Sequence, residues 1–278
     1  MRSSNKNNRA KCRYAVFFIT LAVAVSHAQS PSPILFGLKK TAITAGEPVL
    51  LDVKVRNAAS EPLVVDFGLN AEDGISISAV DPAGKSHQKP EPAIREGLQS
   101  FGWMRLDNGQ EYSKTLILNE WFDFSQIGHY EIIIELKKAP ILGDKTLSIT
   151  IPPLMLEVAP YDRAKLELAC RELTLQIRKR NIDKEYLAAG IAIRALVYIR
   201  DPVVVPYWNQ VLEYADGVAV SSLRKIATLE AVHVLARALH SHDSETRSQA
   251  HFALQSIEHE TSDPMVRAQA KLALKPHP

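Results

Sequence analysis

The spacing of apolar residues changes once along this 278-residue chain, close to Pro160. Before that point apolar and polar side chains alternate, as they do from Leu51 to Arg56 (LDVKVR). Alternation at a period of two places every apolar side chain on one face of a strand. After Pro160 the apolar residues recur at helical spacing, and Ala and Leu are abundant. The sequence therefore predicts a strand-rich domain over residues 29–159 and an all-helical domain over residues 160–278.

Further alternating stretches occur before Pro160, and sequences typical of turns separate them. The strand-like stretches lie near residues 63–67, 75–79, 130–137 and 146–151. The turn sequences, rich in Gly, Pro, Asp and Asn, lie at 45–48, 81–84 and 107–109. About seven or eight short strands, each apolar on one face, must bury those faces against a second sheet. The predicted fold class of this half is an all-β sandwich.

The same half resembles a known family in five short motifs. They lie at residues 53–57 (VKVRN), 62–67 (PLVVDF), 81–85 (DPAGK), 106–109 (LDNG) and 128–130 (GHY). In this order they are similar to the immunoglobulin-like domains of bacterial exported proteins, the proteinase-inhibitor-like ones among them. The resemblance implies that Tyr130 forms a tyrosine corner, in which its hydroxyl bonds back to the chain. Ile132 stands where antibody domains carry a cysteine, so the disulfide of those domains is missing.

The second half has the pattern of successive helices with clear start signals. Helices are expected near 161–180, 184–200, 202–215, 219–240 (with a break), 244–258 and 264–275. Asp162, Asp201, Asp243 and Asp263 are candidate N-caps, because a carboxylate accepts hydrogen bonds from the free N–H groups of a first turn. Proline follows two of these aspartates, at the first helical position, where its missing N–H costs nothing.

Two segments of the second half are similar to each other. Residues 243–254 (DSETRSQAHFAL) and 263–274 (DPMVRAQAKLAL) agree at six of twelve aligned positions. The junction at residues 199–206 (IRDPVVVP) resembles that of HEAT-like repeats, which implies helical hairpins stacked into an all-α solenoid. A non-repeating helical bundle is the alternative. Arg247 and Arg267 recur at one position of the repeat, where they either bond to the neighbouring chain or contact a partner.

The first 28 residues have the three parts of a secretory signal peptide. Residues 1–13 are polar and basic, residues 14–25 are apolar, and small residues precede a cleavage site between Ala28 and Gln29. The apolar run is shorter than the roughly 20 residues that span a bilayer, and retention as an uncleaved anchor is the alternative. Cys12 leaves with this leader, so Cys170 has no partner for a disulfide. Its place in a helical pattern predicts a small buried apolar residue, and a reactive thiol is the alternative. The expected location is the bacterial periplasm or the medium, with no membrane span after removal of the leader.

The charge of the expected mature chain argues against nucleic-acid binding. Five of the 33 basic residues belong to the leader, so residues 29–278 carry 28 basic and 31 acidic groups, a net charge of −3 instead of the +2 of the whole chain. A nucleic-acid-binding protein needs an excess of Lys and Arg to neutralise phosphates. Nucleic acid is therefore excluded as the expected partner.

Sequence motifs of common catalytic sites are missing. The chain contains no Gly-x-Ser-x-Gly, His-Glu-x-x-His or P-loop motif, and no cofactor is expected. Imidazoles ligate transition metals, and His240 and His242 stand together at a predicted helix–helix turn, so they are the candidate metal ligands. The competing interpretation places them at a helix C-terminus, where the helix dipole favours them.

Aromatic residues beside a long connection are the candidate binding residues. Residues 81–103 are long for a strand connection and rich in Pro, Gly and charge, and such loops often carry function. The candidates are Arg95 within this segment, Trp103 at its end, and Trp121 and Phe122 farther along. Either these residues contact a protein or glycan partner, or the rings close the end of the sandwich.

These features predict a non-enzymatic exported protein that serves as a macromolecular interaction or scaffold module of the bacterial cell envelope. One alternative is a proteinase inhibitor acting through residues 81–103, which the immunoglobulin-like resemblance implies. A second alternative is a metal-dependent enzyme that uses the C-terminal histidines.

Overall fold

The structure is a computed structural model that describes residues 32–68, 73–90, 103–183 and 186–275. The described residues belong to one compact unit in which strands precede helices. The proposed signal peptide, the cleavage site between Ala28 and Gln29, and Arg95 lie outside the described residues. Within the described ranges, no helix combines the length and the apolar character that crossing a membrane requires.

Twelve strands occur among the described residues, and all of them precede Pro160. They are β1 (Ile34–Leu38), β2 (Ala42–Thr44), β3 (Leu50–Arg56), β4 (Leu63–Asp66), β5 (Ile75–Val80), β6 (Ser86–Gln88), β7 (Trp103–Leu106), β8 (Glu111–Ile117), β9 (Gly128–Leu136), β10 (Ile141–Leu142), β11 (Lys145–Thr146) and β12 (Leu154–Ala159). A 3-10 helix over Leu118–Glu120 follows β8.

The predicted alternation of buried and exposed side chains is confirmed in β3, β4, β5 and β9. The strand expected near residues 146–151 is wrong, because β11 ends at Thr146 and residues 147–153 form no strand. In β3, Leu51, Val53 and Val55 are buried, whereas the residues between them are more exposed. The hydroxyl of Tyr130 in β9 accepts a hydrogen bond from the backbone N–H of Gln126 at 3.2 Å, as predicted for that tyrosine. Local side-chain pattern thus decides which face of each strand is buried.

The strands pair into three sheets, with the orders β1-β3-β8, β11-β10-β4-β7 and β2-β12-β9-β5-β6. Neighbouring strands run antiparallel except β2 and β12, which run parallel with Ile43 opposite Val158. The sheet that contains them is therefore mixed. The predicted fold class, an all-β immunoglobulin-like sandwich followed by an all-α HEAT-like solenoid, is wrong, because the strands form three sheets with parallel pairing and the helices are not a separate stack.

Hydrogen bonds at the end of β12 hold β2 in its parallel position. The backbone N–H of Ala45 donates to the carbonyl of Ala159 at 3.0 Å. The hydroxyl of the buried Thr44 donates to the carbonyl of Pro160 at 2.9 Å and accepts the backbone N–H of Asp162 at 2.7 Å. The chain that leaves β12 is thereby bonded to β2. An alternating sequence pattern shows the buried face of a strand but not the direction of its neighbour.

Six α-helices follow among the described residues, and aspartates cap four helical starts as predicted. The helices are α1 (Arg163–Asp183), α2 (Tyr186–Leu196), α3 (Val205–Ile226), α4 (Leu229–Ala238), α5 (Ser244–Glu260) and α6 (Pro264–Ala273), with a 3-10 helix over Pro202–Val204 before α3. Asp162, Asp201, Asp243 and Asp263 each accept a backbone N–H of the turn that follows, at 2.7–3.0 Å. These bonds satisfy donors that a helix start leaves without a partner.

The expected helix end near residue 215 is wrong, because α3 continues through Gly217 to Ile226. Ala227, with a φ of +48°, ends the helix in the left-handed conformation. Thr228 then caps α4 by accepting the backbone N–H of Ala231 at 3.2 Å. Inside α3, a Cβ at Gly217 would meet the amide end of the Gln249 side chain from α5, a flexible group and not backbone.

The helices pack against the β1-β3-β8 sheet as well as on one another. Leu50 and Ile117, on the outer face of that sheet, belong to the same apolar cluster as Leu166 of α1. The guanidinium of Arg194 in α2 bonds the carboxylate of Glu120, just after β8. A sheet face that carries apolar side chains must be covered, and here the helices cover it.

Candidate functional site

A cleft of about 950 Å³ opens between the strands and α2. Its walls come from β3, β7, β8, α1 and α2, together with Lys39 after β1 and Phe67 and Gly68 after β4. Four consecutive residues of β8, from Tyr112 to Thr115, line it. Because successive side chains of a strand point to opposite faces, both faces of β8 border the cleft.

One wall of the cleft is aromatic and apolar. Trp103 of β7 is 55% exposed and lies in the cleft beside Met104. Phe67 also lines this wall, and its ring centre lies 6.4 Å from that of Tyr112. Exposed Trp and Tyr rings suit binding sites, because each offers a large apolar surface with one polar atom. Trp103, a binding candidate from sequence, therefore lies in a concave site.

A second wall, on the outer face of β3 and β8, carries charged side chains. Asp52 accepts a hydrogen bond from the hydroxyl of Thr115 at 2.6 Å, and its carboxylate lies 3.8 Å from the ammonium of Lys39. Four cationic side chains line the cleft together with the carboxylate of Asp52, and they are Lys39, Lys54, Lys114 and Arg194. Arg194 is paired with Glu120, so the lysines carry the excess positive charge. A concave surface with excess positive charge attracts anionic groups.

The third wall is the start of α2, which sequence reasoning missed. Leu187 is 86% exposed, Tyr186 is 57% exposed, and both line the cleft. Helical spacing leaves such residues on the outer side of a helix, but it does not show which strand they face. The alternation in β3 did place Lys54 on an outward face, and that was the signal available for the charged wall.

The other two aromatic candidates lie outside the cleft. Phe122 is 6% exposed, and its ring packs edge-on against Phe124 with 6.2 Å between ring centres. Trp121 is half-buried, and the ammonium of Lys89 lies 4.9 Å from its ring centre. Phe122 belongs to the core of the strands and Trp121 packs on that core. The structure does not bring either of them together with Trp103.

The start of the 81–103 segment is a tight turn. Asp81 accepts two backbone N–H hydrogen bonds at 2.9 and 3.0 Å, and β6 pairs with β5 directly after this turn. The Nε2 atom of His87 lies 3.0 Å from the carboxylate of Asp81. The hydrogen bond with His87 and the two N–H bonds hold the pKa of Asp81 below its usual range. The residues of this segment that include Arg95 lie outside the described part of the chain.

His240 and His242 lie in the turn that follows α4. The backbone N–H of His240 donates to the carbonyl of Arg237 at 3.0 Å. The carbonyl of His242 accepts a hydrogen bond from Arg247 at 2.9 Å. Within the described ranges, no group of three His, Cys, Asp or Glu side chains stands close enough together to hold a metal ion.

Arg247 and Arg267 bond to the turns that precede their own helices. Arg247 donates to the carbonyls of Ser241 and His242 at 2.8 and 2.9 Å. Arg267 donates in the same way to the carbonyl of Thr261, which is again six residues upstream. The internal similarity of the two segments therefore reflects a repeated local structure at the starts of α5 and α6.

Cys170 is fully buried in α1, inside the apolar cluster of the helices. Burial raises the pKa of its thiol to about 12, so the thiol stays protonated at neutral pH. Reactive cysteines need an accessible thiolate. The interpretation of Cys170 as a small buried apolar residue is confirmed.

No protein-family model matches the chain, and no curated protein matches it either. A β-glucosidase from Listeria innocua in complex with glucose is 14% identical over 46% of this chain, with a TM-score of 0.25. Another structure of β-glucosidase from Listeria innocua is 17% identical over 46% of this chain, with a TM-score of 0.24. The chain covers 16% of the length of these enzyme chains.

This chain is 15% identical to a chain of a solved chaperone–tip adhesin complex. That complex is described as vital for synergistic activation of CFA/I fimbriae biogenesis. The match covers 46% of this chain and 57% of that chain, with a TM-score of 0.21. Likenesses at this level name no family for the chain and carry no argument about its function.

Proposed function

We propose that this chain is an exported, non-enzymatic interaction protein of a bacterial cell envelope, which binds a protein partner in the cleft between β7, β8 and α2. The observation that carries the proposal is the exposure of Trp103, which is 55% exposed inside a cleft of about 950 Å³. Exposed apolar surface in a concave site is typical of a binding site.

The chemistry of the walls favours a protein segment as the ligand. Trp, Tyr and Arg are the residue types that contribute most to protein–protein binding energy, and Trp103, Tyr186 and Arg194 all line the cleft. The lysines of the cleft, Lys54 among them, add selectivity for acidic residues in the partner, whereas Arg194 is already paired with Glu120. An oligosaccharide is the other outcome that the binding experiment can return.

Binding in the cleft should depend on Trp103. The exported protein would be screened against a random dodecapeptide library and a panel of immobilised oligosaccharides, and the ligands so selected would be titrated by calorimetry. Trp103→Ala should lower the affinity for the selected peptides by about tenfold or more, because an aromatic anchor of an interface contributes about 2 kcal/mol to binding.

Phe252→Ala is the matched control for this substitution. Phe252 is 61% exposed in α5, and its loss should leave the affinity unchanged. Selected peptides that bind equally well to the Trp103→Ala variant would contradict the proposal. A selected oligosaccharide that needs Trp103 would replace the protein partner with a glycan.

If the chain is exported as proposed, the protein recovered from the periplasm should lack its first 28 residues. When the whole chain is expressed in a bacterium with two membranes, the periplasmic protein should begin at Gln29, as intact-mass measurement would show. Ala28→Arg should block cleavage and keep the protein at the membrane, because the cleavage site needs small residues. Ala28→Ser is the control and should be cleaved. Recovery of the whole chain from the cytoplasm, beginning at its first residue, would contradict export.

A further inference from the structure

The backbone groups on the outer edge of β8 can be assigned from hydrogen bonds at its two ends. The carbonyl of Gln110 accepts the N–H of Asn57 at 3.1 Å, and the N–H of Leu118 donates to the carbonyl of Val49 at 2.9 Å. Both pairs continue the antiparallel register of β3 and β8. In such a ladder, pairs that exchange hydrogen bonds alternate with pairs that do not.

The alternation has a direct consequence for the residues between these two pairs. Even-numbered residues of β8 bond to β3, so Ser113 and Thr115 direct their N–H and C=O groups away from β3. Among the described strands, β8 is the last strand of its sheet on that side. Both residues line the cleft. The cleft therefore contains a strand edge that presents two N–H and two C=O groups.

An extended peptide is the ligand whose chemistry matches such an edge. Its donors and acceptors repeat every two residues, about 7 Å apart, as those of β8 do. Addition of a strand to an open sheet edge is a common mode of peptide recognition. A sugar chain carries no donors and acceptors with this alternation.

The two faces of β8 then decide which side chains the peptide should carry. A strand beside β8 shares its faces. The face of Ser113 and Thr115 carries Lys54 and Lys39 against one carboxylate, that of Asp52, so acidic residues fit opposite Ser113, beside Lys54.

Peptide side chains on the opposite face approach Trp103 and Met104, so apolar residues fit there. A slip of one residue would move the acidic groups away from Lys54 to the face of Trp103 and Lys114, and would place the apolar side chains beside Lys54. The slipped register is therefore disfavoured, because it loses the apolar contact with Trp103.

We propose that the partner segment is an extended peptide of alternating apolar and acidic residues, which adds to the edge of β8 in antiparallel orientation. The inference rests on the proposed function, because it names the partner of the same cleft. The two strand pairs of the β1-β3-β8 sheet, β1 with β3 and β3 with β8, are both antiparallel.

Synthetic peptides test the pairing and its register. The probe is an acetylated nine-residue peptide that alternates Val and Glu, titrated calorimetrically into the exported protein. A peptide with Lys in place of Glu should bind at least about tenfold more weakly, because its cations approach Lys54 and Lys39.

Methylation of the backbone nitrogens of the Glu residues should abolish binding, and methylation of the backbone nitrogens of the Val residues should leave binding unchanged. The reason is that the residues opposite Ser113 and Thr115 exchange both hydrogen bonds. Equal effects of the two methylations on affinity would overturn the inference. So would loss of binding when only the backbone nitrogens of the Val residues are methylated.

Variants of the protein provide the complementary test. Lys54→Glu should reverse the preference, so that the Val/Lys peptide binds more tightly than the Val/Glu peptide. Lys271→Glu, an exposed site in α6, is the matched control and should leave the preference unchanged. Ser113→Pro removes an outward N–H without disturbing the bonds of β8 to β3, and it should abolish binding. Unchanged binding in both Lys54→Glu and Ser113→Pro would overturn the inference.

The two proposals can fail separately. If the Val/Glu peptide does not bind but library ligands still need Trp103, the strand-edge inference falls and the binding function stands. If no ligand depends on Trp103, both fall.

Discussion

Replacing Trp208 with alanine should lower the free energy of unfolding by about 3–5 kcal/mol. Trp208 lies in α3, is fully buried, and belongs to the apolar cluster that joins the helices to the sheet. Its removal would leave a cavity too large for the surrounding helices to close. Urea unfolding followed by far-UV circular dichroism would measure the loss.

Two variants act as controls for this prediction. Phe252→Ala removes an exposed ring and should change stability by less than about 0.5 kcal/mol. Trp208→Phe should cost less than Trp208→Ala, because a phenyl ring fills much of the space that alanine leaves empty. Neither substitution breaks a hydrogen bond of the Nε1 atom, which has no partner among the described residues. Equal stability of Trp208→Ala and Phe252→Ala would contradict the assignment of Trp208 to the core.

Replacing Gly74 with alanine should lower the free energy of unfolding by about 2–3 kcal/mol. The N–H of Gly74 donates to the carbonyl of Phe67 at 2.7 Å, so two chain segments pass close together. An added Cβ would meet the carbonyl oxygen of Asp66 and would lie 2.6 Å from the Cα and the carbonyl carbon of Phe67. These are backbone atoms that cannot turn aside, so the strand must shift. Thermal unfolding followed by circular dichroism would measure the loss.

Gly217→Ala is the contrasting substitution. Its Cβ would meet the side chain of Gln249, which can rotate away. Alanine inside a helix is favoured over glycine by about 0.5–1 kcal/mol, so the variant should be as stable as the parent or more stable. Losses of the same size at both glycines would contradict the account of Gly74.

Local features of the fold were predictable from the sequence because neighbouring residues decide them. Side chains two positions apart, such as Leu51 and Val53, must share one face of a strand, whatever that strand pairs with. A carboxylate before a helix bonds to the first turn wherever the helix lies in the protein, as Asp243 and Asp263 do. The burial of Cys170 followed in the same way from its place in a helical pattern.

Pairing and packing were not predictable in this way. Nothing in the alternation of β2 indicated that it runs parallel to β12, since the bonds from Thr44 to Pro160 and Asp162 join residues more than 100 positions apart. The same reason explains why Trp103 and Trp121, both exposed candidates from sequence, lie in different parts of the molecule.

The candidate cleft combines features that the sequence predicts with a position that only tertiary packing decides. Its ingredients are local: the outward position of Lys54 in β3, an exposed tryptophan at the start of β7, and apolar residues in the first turn of α2. Their meeting is not local, because α2 and β8 are separated by more than 60 residues and only packing brings them to one concave surface. The position of β8 at the border of its sheet, among the described strands, has the same origin. Whether a strand lies inside a sheet or at its border depends on which other strands reach it.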